Sequence, residues 1–204
     1  MVMQYERGKS LQDYILAQPE PVSEKFVRRV FGELLNGLRE VHTQKLLHLD
    51  IKPANIYIRM DGSPVLLDFG SARQTLTQNQ PKLSPSYTPG FAPPEQYFER
   101  QKLGPWSDIY SVGASMYSCL ARSAPIAANQ RVQKDTLVPA VKLGKGVYSE
   151  QLLSIIDHCL KLDYMQRPQS VFSLQKELLK NVEPLPQRKP GITHKIKAAL
   201  IKSL

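Results

Sequence analysis

"LLHLDIKPANIYIRMDGSPVLLDFG", Leu46 to Gly70, decides how the rest of the chain is read. It holds two short apolar runs, NIYI and VLLD, joined by RMDGSP. Short runs rich in β-branched and aromatic residues with Asp61-Gly62 between them predict two strands and a turn. Polar groups flank both runs. Asp50 and Asn55 lie five apart, and Asp68 follows eighteen residues after Asp50. Asn55 and Asp68, at the ends of facing strands, can offer oxygen ligands from two sides. Mg²⁺ accepts a few such ligands and keeps its waters, and a phosphoryl donor such as ATP needs a divalent cation to neutralise its phosphates. Asp50, in the loop before the first strand, is placed to accept the proton of an attacking hydroxyl. Lys52, two residues on, is placed to stabilise a transferring phosphoryl group.

The chain around this stretch has 204 residues, 42% of them hydrophobic and 22% charged, an ordinary balance for one core with a small appendage. No run of about 18 apolar residues predicts a membrane span. The N-terminal MVMQYERGKS has no long apolar stretch of the signal-peptide kind. Cys119 and Cys159 both fall in apolar helical patterns, so they read as reduced core residues and the expected compartment is the cytoplasm. The net charge of +9 invites a nucleic-acid reading. Residues 182–204, with five Lys/Arg and one Glu, supply +4 of it, and no aromatic residues interleave with the basic ones there. A solvated basic surface is therefore expected, and no nucleic-acid partner.

Before the hairpin, Ser23 to Thr43 carries Phe26, Val30, Leu34, Leu38 and Val41 at helical spacing, with Ser23 as N-cap. After it, residues 71–92 have no period and read as a long functional loop. Trp106 to Leu120 is apolar on most faces and predicts a helix buried nearly all round. Residues 122–148 read as irregular. Ser149 to Leu162 and Pro168 to Lys180 predict two amphipathic helices, the second with Pro in its first turn. "EPLPQRKPG" (183–191) is a Pro-rich linker before a basic tail. The fold class expected is mainly α with a small β-hairpin.

These residues resemble a known family. "HLDIKPAN" (48–55) is similar to the catalytic loop of protein kinases, and Asp68-Phe69-Gly70 to their metal-binding DFG. The lysine in D-x-K-x-x-N is the form seen in serine/threonine kinases. "TPGFAPPE" (88–95) resembles the end of the activation segment, "SDIYSVG" (107–113) the start of the central buried helix, and "DYMQRP" (163–168) the junction before the last helices. The five motifs stand in the family's order and spacing. The resemblance implies a protein-kinase-like C-lobe over residues 1–181, followed by the linker and tail of 182–204. It implies a serine/threonine kinase that transfers the γ-phosphate of ATP, with Mg²⁺, to hydroxyls of a protein substrate. Asp50 is then the catalytic base, Asn55 and Asp68 hold Mg²⁺, Lys52 contacts the γ-phosphate, and Thr88 helps fix the catalytic loop. Glu95 and Arg167 should form a buried ion pair, Asp108 should accept backbone N–H bonds from the catalytic loop, and His48 reads as an oriented packing group.

Two departures accompany the resemblance. Leu49 stands where most kinases carry an arginine that receives a phosphate on the activation loop. Leucine cannot bind phosphate, so Thr75, Thr77, Ser84, Ser86 and Tyr87 read as a solvated polar loop rather than as switch sites. At the front, "MVMQYERGKSLQDYI" resembles the last N-lobe strand, the hinge and the first C-lobe helix. Met3 is then the gatekeeper, and Gln4, Tyr5 and Glu6 are the hinge that would meet adenine. The sequence contains no G-x-G-x-x-G loop, V-A-I-K lysine or partner glutamate helix. Three readings follow: a kinase whose N-lobe lies upstream, a split kinase completed by a separate N-lobe, or a catalytically silent C-lobe acting as a binding or regulatory module. Intact Asp50, Lys52, Asn55 and Asp68 favour the first two, because a scaffold has no physical need for all four.

Overall fold

The computed structural model describes residues 7–74 and 87–180. The expected gatekeeper Met3, the expected hinge Gln4, Tyr5 and Glu6, the loop residues Thr75, Thr77, Ser84 and Ser86, and the expected linker and tail of 182–204 lie outside the described residues.

The chain enters through strand β1 (Gly8–Ser10) and helix α1 (Leu11–Ala17). Ser10 caps α1, accepting from the Asp13 amide at 3.0 Å and donating to its carboxylate at 2.7 Å. Such a cap is worth about 1 kcal/mol. Helix α2 (Glu24–Thr43) starts at Ser23, as its sequence predicts, and buries Val27, Val30, Phe31, Leu34, Leu35 and Leu38 on one face. Strand β2 (Leu46–Leu47) leads into the loop of residues 48–55, with a 3₁₀ turn at Pro53–Asn55. Strands β3 (Ile56–Arg59) and β4 (Pro64–Leu66) form the expected antiparallel hairpin. Asp61 closes its turn, accepting from the Ser63 amide at 2.8 Å and the Ser63 hydroxyl at 2.7 Å.

The hairpin is not the whole sheet. β1 pairs antiparallel with β3, making a three-stranded sheet in the order β1-β3-β4. A second, two-stranded sheet joins β2 to β5 (Arg73–Gln74). Beyond residue 87 come α3 (Pro94–Phe98) and α4 (Pro105–Ala121). Every residue of α4 from Ser107 to Leu120 is buried. Two of its hydroxyls bond within the helix: Ser115 donates to Ser111 O at 2.8 Å and Ser118 to Ala114 O at 3.0 Å. Segment 122–148 is more ordered than expected, since it carries α5 (Ala128–Gln133) and α6 (Ala140–Leu143). Both are too short for a periodic signal to emerge. Helices α7 (Glu150–Cys159) and α8 (Val171–Leu178) end the described fold. Pro168 lies before α8 rather than in its first turn; Ser170 is the N-cap, accepting from the Ser173 amide at 3.1 Å.

The core is one cluster in which α4 packs on α7, and α2 on α8. Gly113 sets the α4–α7 separation. A Cβ there would stand 2.4 Å from the Cβ of Cys159, closer than packed atoms allow. Cys119 and Cys159 are both buried and free, as expected of core residues. Among the described residues no helix is long and apolar enough to cross a membrane.

Candidate active site

The site is assembled on the edge of α4. Asp108, in the first turn of α4 and fully buried, reaches the segment after β2. Its carboxylate accepts the His48 amide at 2.9 Å and the Leu49 amide at 2.8 Å. It also accepts from His42 Nε2 at 2.8 Å. A buried carboxylate with three donors is satisfied, so α4 can hold the loop without leaving a bare charge in the core. His48 is fully buried. Its Nδ1 accepts the Asp50 amide at 3.3 Å, so the proton resides on Nε2, which donates to Leu67 O at 3.0 Å. It ties the loop to the end of β4 and acts as the packing group expected.

Leu49 carries a left-handed backbone, φ 63°. For a leucine this costs about 1–2 kcal/mol. The conformation is held from both sides: its N–H by Asp108, and its carbonyl by Gln96 Nε2 at 2.9 Å. Its side chain is only 5% exposed. The residue that departs from the family pattern is thus a buried apolar plug, braced by α3 and α4.

The strained turn aims Asp50 outward into a compact polar group. Lys52 Nζ donates to both Asp50 oxygens, at 3.1 and 2.9 Å. Thr88 Oγ1 donates to Asp50 Oδ1 at 2.8 Å and accepts from Lys52 Nζ at 2.8 Å. Asn55 Nδ2 donates to Asp50 O at 2.9 Å and Oδ2 at 3.0 Å. Four of the residues picked from sequence therefore meet in one network: Asp50, Lys52, Asn55 and Thr88. Thr88 comes from a segment anchored on α4, where Ser111 Oγ donates to Phe91 O at 2.9 Å.

Asp68 stands apart from that network, exposed, with a left-handed backbone (φ 61°, ψ 79°). Its Oδ1 accepts the Gly70 amide at 3.1 Å, a local bond that lets aspartate tolerate this conformation. The strands do couple the two candidate ligands: the Leu67 amide donates to Asn55 O at 2.8 Å. The Asn55 amide oxygen and Asp68 Oδ2 accept no hydrogen bond among the described residues. Both are free to face a cation, and neither comes from a cage of acidic residues; among the described residues no group of three or more metal-ligating side chains exists. Two protein oxygens without a competing donor among the described residues suit Mg²⁺, which takes few protein ligands and keeps waters. Phe69 is 46% exposed and meets the His48 ring edge-on at 4.7 Å.

Below the site, Glu95 and Arg167 form the expected ion pair, bidentate at 2.7 and 3.0 Å and buried. Ser107 Oγ adds a bond to Glu95 at 2.8 Å. Beside it, Tyr97 stacks tilted on Tyr87, with ring centres 4.3 Å apart. Burial first, then the neighbouring Tyr87 and Tyr110, pushes the Tyr97 phenol up to about 12.

Three supporting residues were not read from the sequence: His42, Gln96 and Ser111. A faint signal existed for two. His42 lies four residues after Leu38 on the buried face of α2, and Gln96 directly follows Glu95.

An aspartate held by lysine, threonine and asparagine is set on a mainly helical, protein-kinase-like fold. The chain belongs to the protein kinase domain family, whose model matches residues 1–179. It is 30% identical over 199 residues to ribosomal protein S6 kinase alpha-1 of Rattus norvegicus, covering 92% of this chain and 27% of that protein. It is 29% identical over 199 residues to ribosomal protein S6 kinase 2 alpha of Gallus gallus, covering 92% of this chain and 26% of that protein. A solved structure titled "PpkA-294 apo form" matches with a TM-score of 0.74 and 36% identity, over 87% of this chain and 62% of that one. The chain thus spans about a quarter of the length of these curated relatives.

Proposed function

We propose that this chain is the C-terminal lobe of a serine/threonine protein kinase that transfers the γ-phosphate of ATP to a protein hydroxyl. The observation that carries this reading is the Asp50 carboxylate, held at once by Lys52, Asn55 and Thr88. Asp50 accepts the proton of the acceptor hydroxyl. Its three partners orient the carboxylate, and Lys52 places a positive charge beside the site of transfer. Asn55 and Asp68 would hold Mg²⁺, which when bound neutralises phosphate charge. By the family resemblance, Met3 as gatekeeper and Gln4, Tyr5 and Glu6 as hinge would serve the adenine end of ATP. The remaining phosphate contacts belong to an N-terminal lobe, upstream in the same polypeptide or on a separate one. Most of the rate in phosphoryl transfer comes from positioning and electrostatic clamping, so residues 1–204 alone should transfer little. A cytoplasmic setting agrees with the two buried, unpaired cysteines.

The test is phosphate transfer to a generic protein substrate, comparing residues 1–204 with a chain extended by an N-terminal lobe, each with and without Asp50→Asn. Transfer should appear on extension and fall about 10²–10⁴-fold in the variant. Near wild-type turnover by Asp50→Asn would remove Asp50 from the mechanism.

A further inference from the structure

A groove of about 220 Å³ opens between α1, the Pro53 turn and the end of α4. Its walls are largely apolar: Ile15, Leu16, Pro53 and Phe91. Ser118 and Arg122 supply polar groups, and no carboxylate among the described residues lines it. Arg122 is the one charged residue among the described ones that line it. The guanidinium is braced rather than loose, since Nη1 donates to Pro19 O at 3.1 Å and Nη2 to Leu16 O at 3.5 Å. Of its five N–H groups, three remain without a partner among the described residues, and it forms no ion pair with any of them. Leu16, on the rim, is 59% exposed.

The groove adjoins the site by two short covalent routes. Pro53 is three residues from Asp50, and Phe91 is three residues from Thr88, which bonds Asp50 at 2.8 Å. Three residues span at most roughly 11 Å. An extended peptide rises about 3.3 Å per residue. A substrate strand whose hydroxyl sits at Asp50 therefore reaches the groove within about three residues of that hydroxyl.

We propose that this groove receives the substrate segment flanking the acceptor hydroxyl, and that Arg122 selects there an apolar side chain next to a carboxylate. This rests on the reading of Asp50 as the group that faces the acceptor. The apolar walls take the side chain, as in most ligand clefts. A planar guanidinium with free N–H groups matches a carboxylate bidentately. A basic flank would meet the Arg122 cation, with no carboxylate among the described lining residues to offset it. Arg122 is thus a specificity-determining residue, separate from the Asp50 network.

The experiment measures fluorescence anisotropy of labelled peptides binding the 204-residue chain without nucleotide. Each peptide has one central serine and a Leu-Asp or Leu-Arg pair two or three residues to either side. In at least one placement Leu-Asp should bind about three- to tenfold tighter than Leu-Arg, because attraction replaces repulsion at the exposed Arg122 guanidinium. Arg122→Glu should reverse that order. Leu16→Asp, on an exposed rim where folding is not at stake, should weaken the Leu-Asp peptide and spare the Leu-Arg one. Tighter binding of Leu-Arg by the wild type, or an order unchanged in a folded Arg122→Glu chain, would overturn the proposal. So would indifference to Leu16→Asp. None of these readouts needs transfer, so they stand or fall apart from the Asp50→Asn test.

Discussion

Replacing Arg167 by lysine keeps the charge and should still damage the fold severely. Each N–H of the guanidinium has its own acceptor. Nε donates to Lys161 O at 2.7 Å; Nη1 donates to Glu95 Oε1 at 2.7 Å and Trp106 O at 3.2 Å; Nη2 donates to Glu95 Oε2 and Leu162 O, both at 3.0 Å. An ammonium has three donors radiating from one atom, against five in a planar fork. At least two buried acceptors then lose their partner at about 1–3 kcal/mol each, giving roughly 2–6 kcal/mol. Arg167→Ala leaves Glu95 charged and buried, with only Ser107 to answer it, and should cost about 3–5 kcal/mol. For a domain of this size that lowers the melting temperature by roughly 6–20 °C. The assay is urea denaturation of Arg167→Lys, Arg167→Ala, Glu95→Ala and the double alanine variant. The double variant should be less destabilised than the sum, by at least about 1 kcal/mol. The reasoning is falsified if the two alanine changes add within about 0.5 kcal/mol, or if lysine substitutes without loss.

Asp68→Ala should weaken nucleotide binding about tenfold or more in the presence of Mg²⁺ and little in its absence, in an N-lobe-extended chain; equal losses in paired titrations would argue against metal ligation. Tyr97 should keep its proton well above the ordinary tyrosine range, ionising at about 12. Between pH 10 and 12 the unfolded chain releases a proton that the folded chain retains, so stability should fall as pH rises there; a Tyr97→Phe chain with the same alkaline slope would contradict it. Burial pushes the Cys119 and Cys159 thiols far above their usual range. Neither should react with a thiol-specific disulfide reagent at pH 8 until denaturant is added, when both should; rapid labelling of the native chain would show that one is accessible.

Much of this was legible in the residues themselves because the signals are local. The helical repeat of Phe26, Val30, Leu34 and Leu38, the Ser23 cap and the Asp61-Gly62 turn each express a short-range preference of the backbone. The motif spacing from His48 to Arg167 carries the family, since each motif is a few consecutive residues. Tertiary structure alone decided what depends on distant partners. Gly8–Ser10 has no strand pattern of its own and becomes a strand only because β3 presents an unpaired edge. Leu49 adopts a left-handed backbone that its side chain does not request; Asp108 and Gln96, 59 and 47 residues away, hold it in place. His42 and Gln96 look unremarkable in sequence, and acquire their roles when α2 and α3 bring them against α4 and the Asp50 loop. Residue type sets what a side chain can donate or accept, but which partner it meets is a property of the packed core.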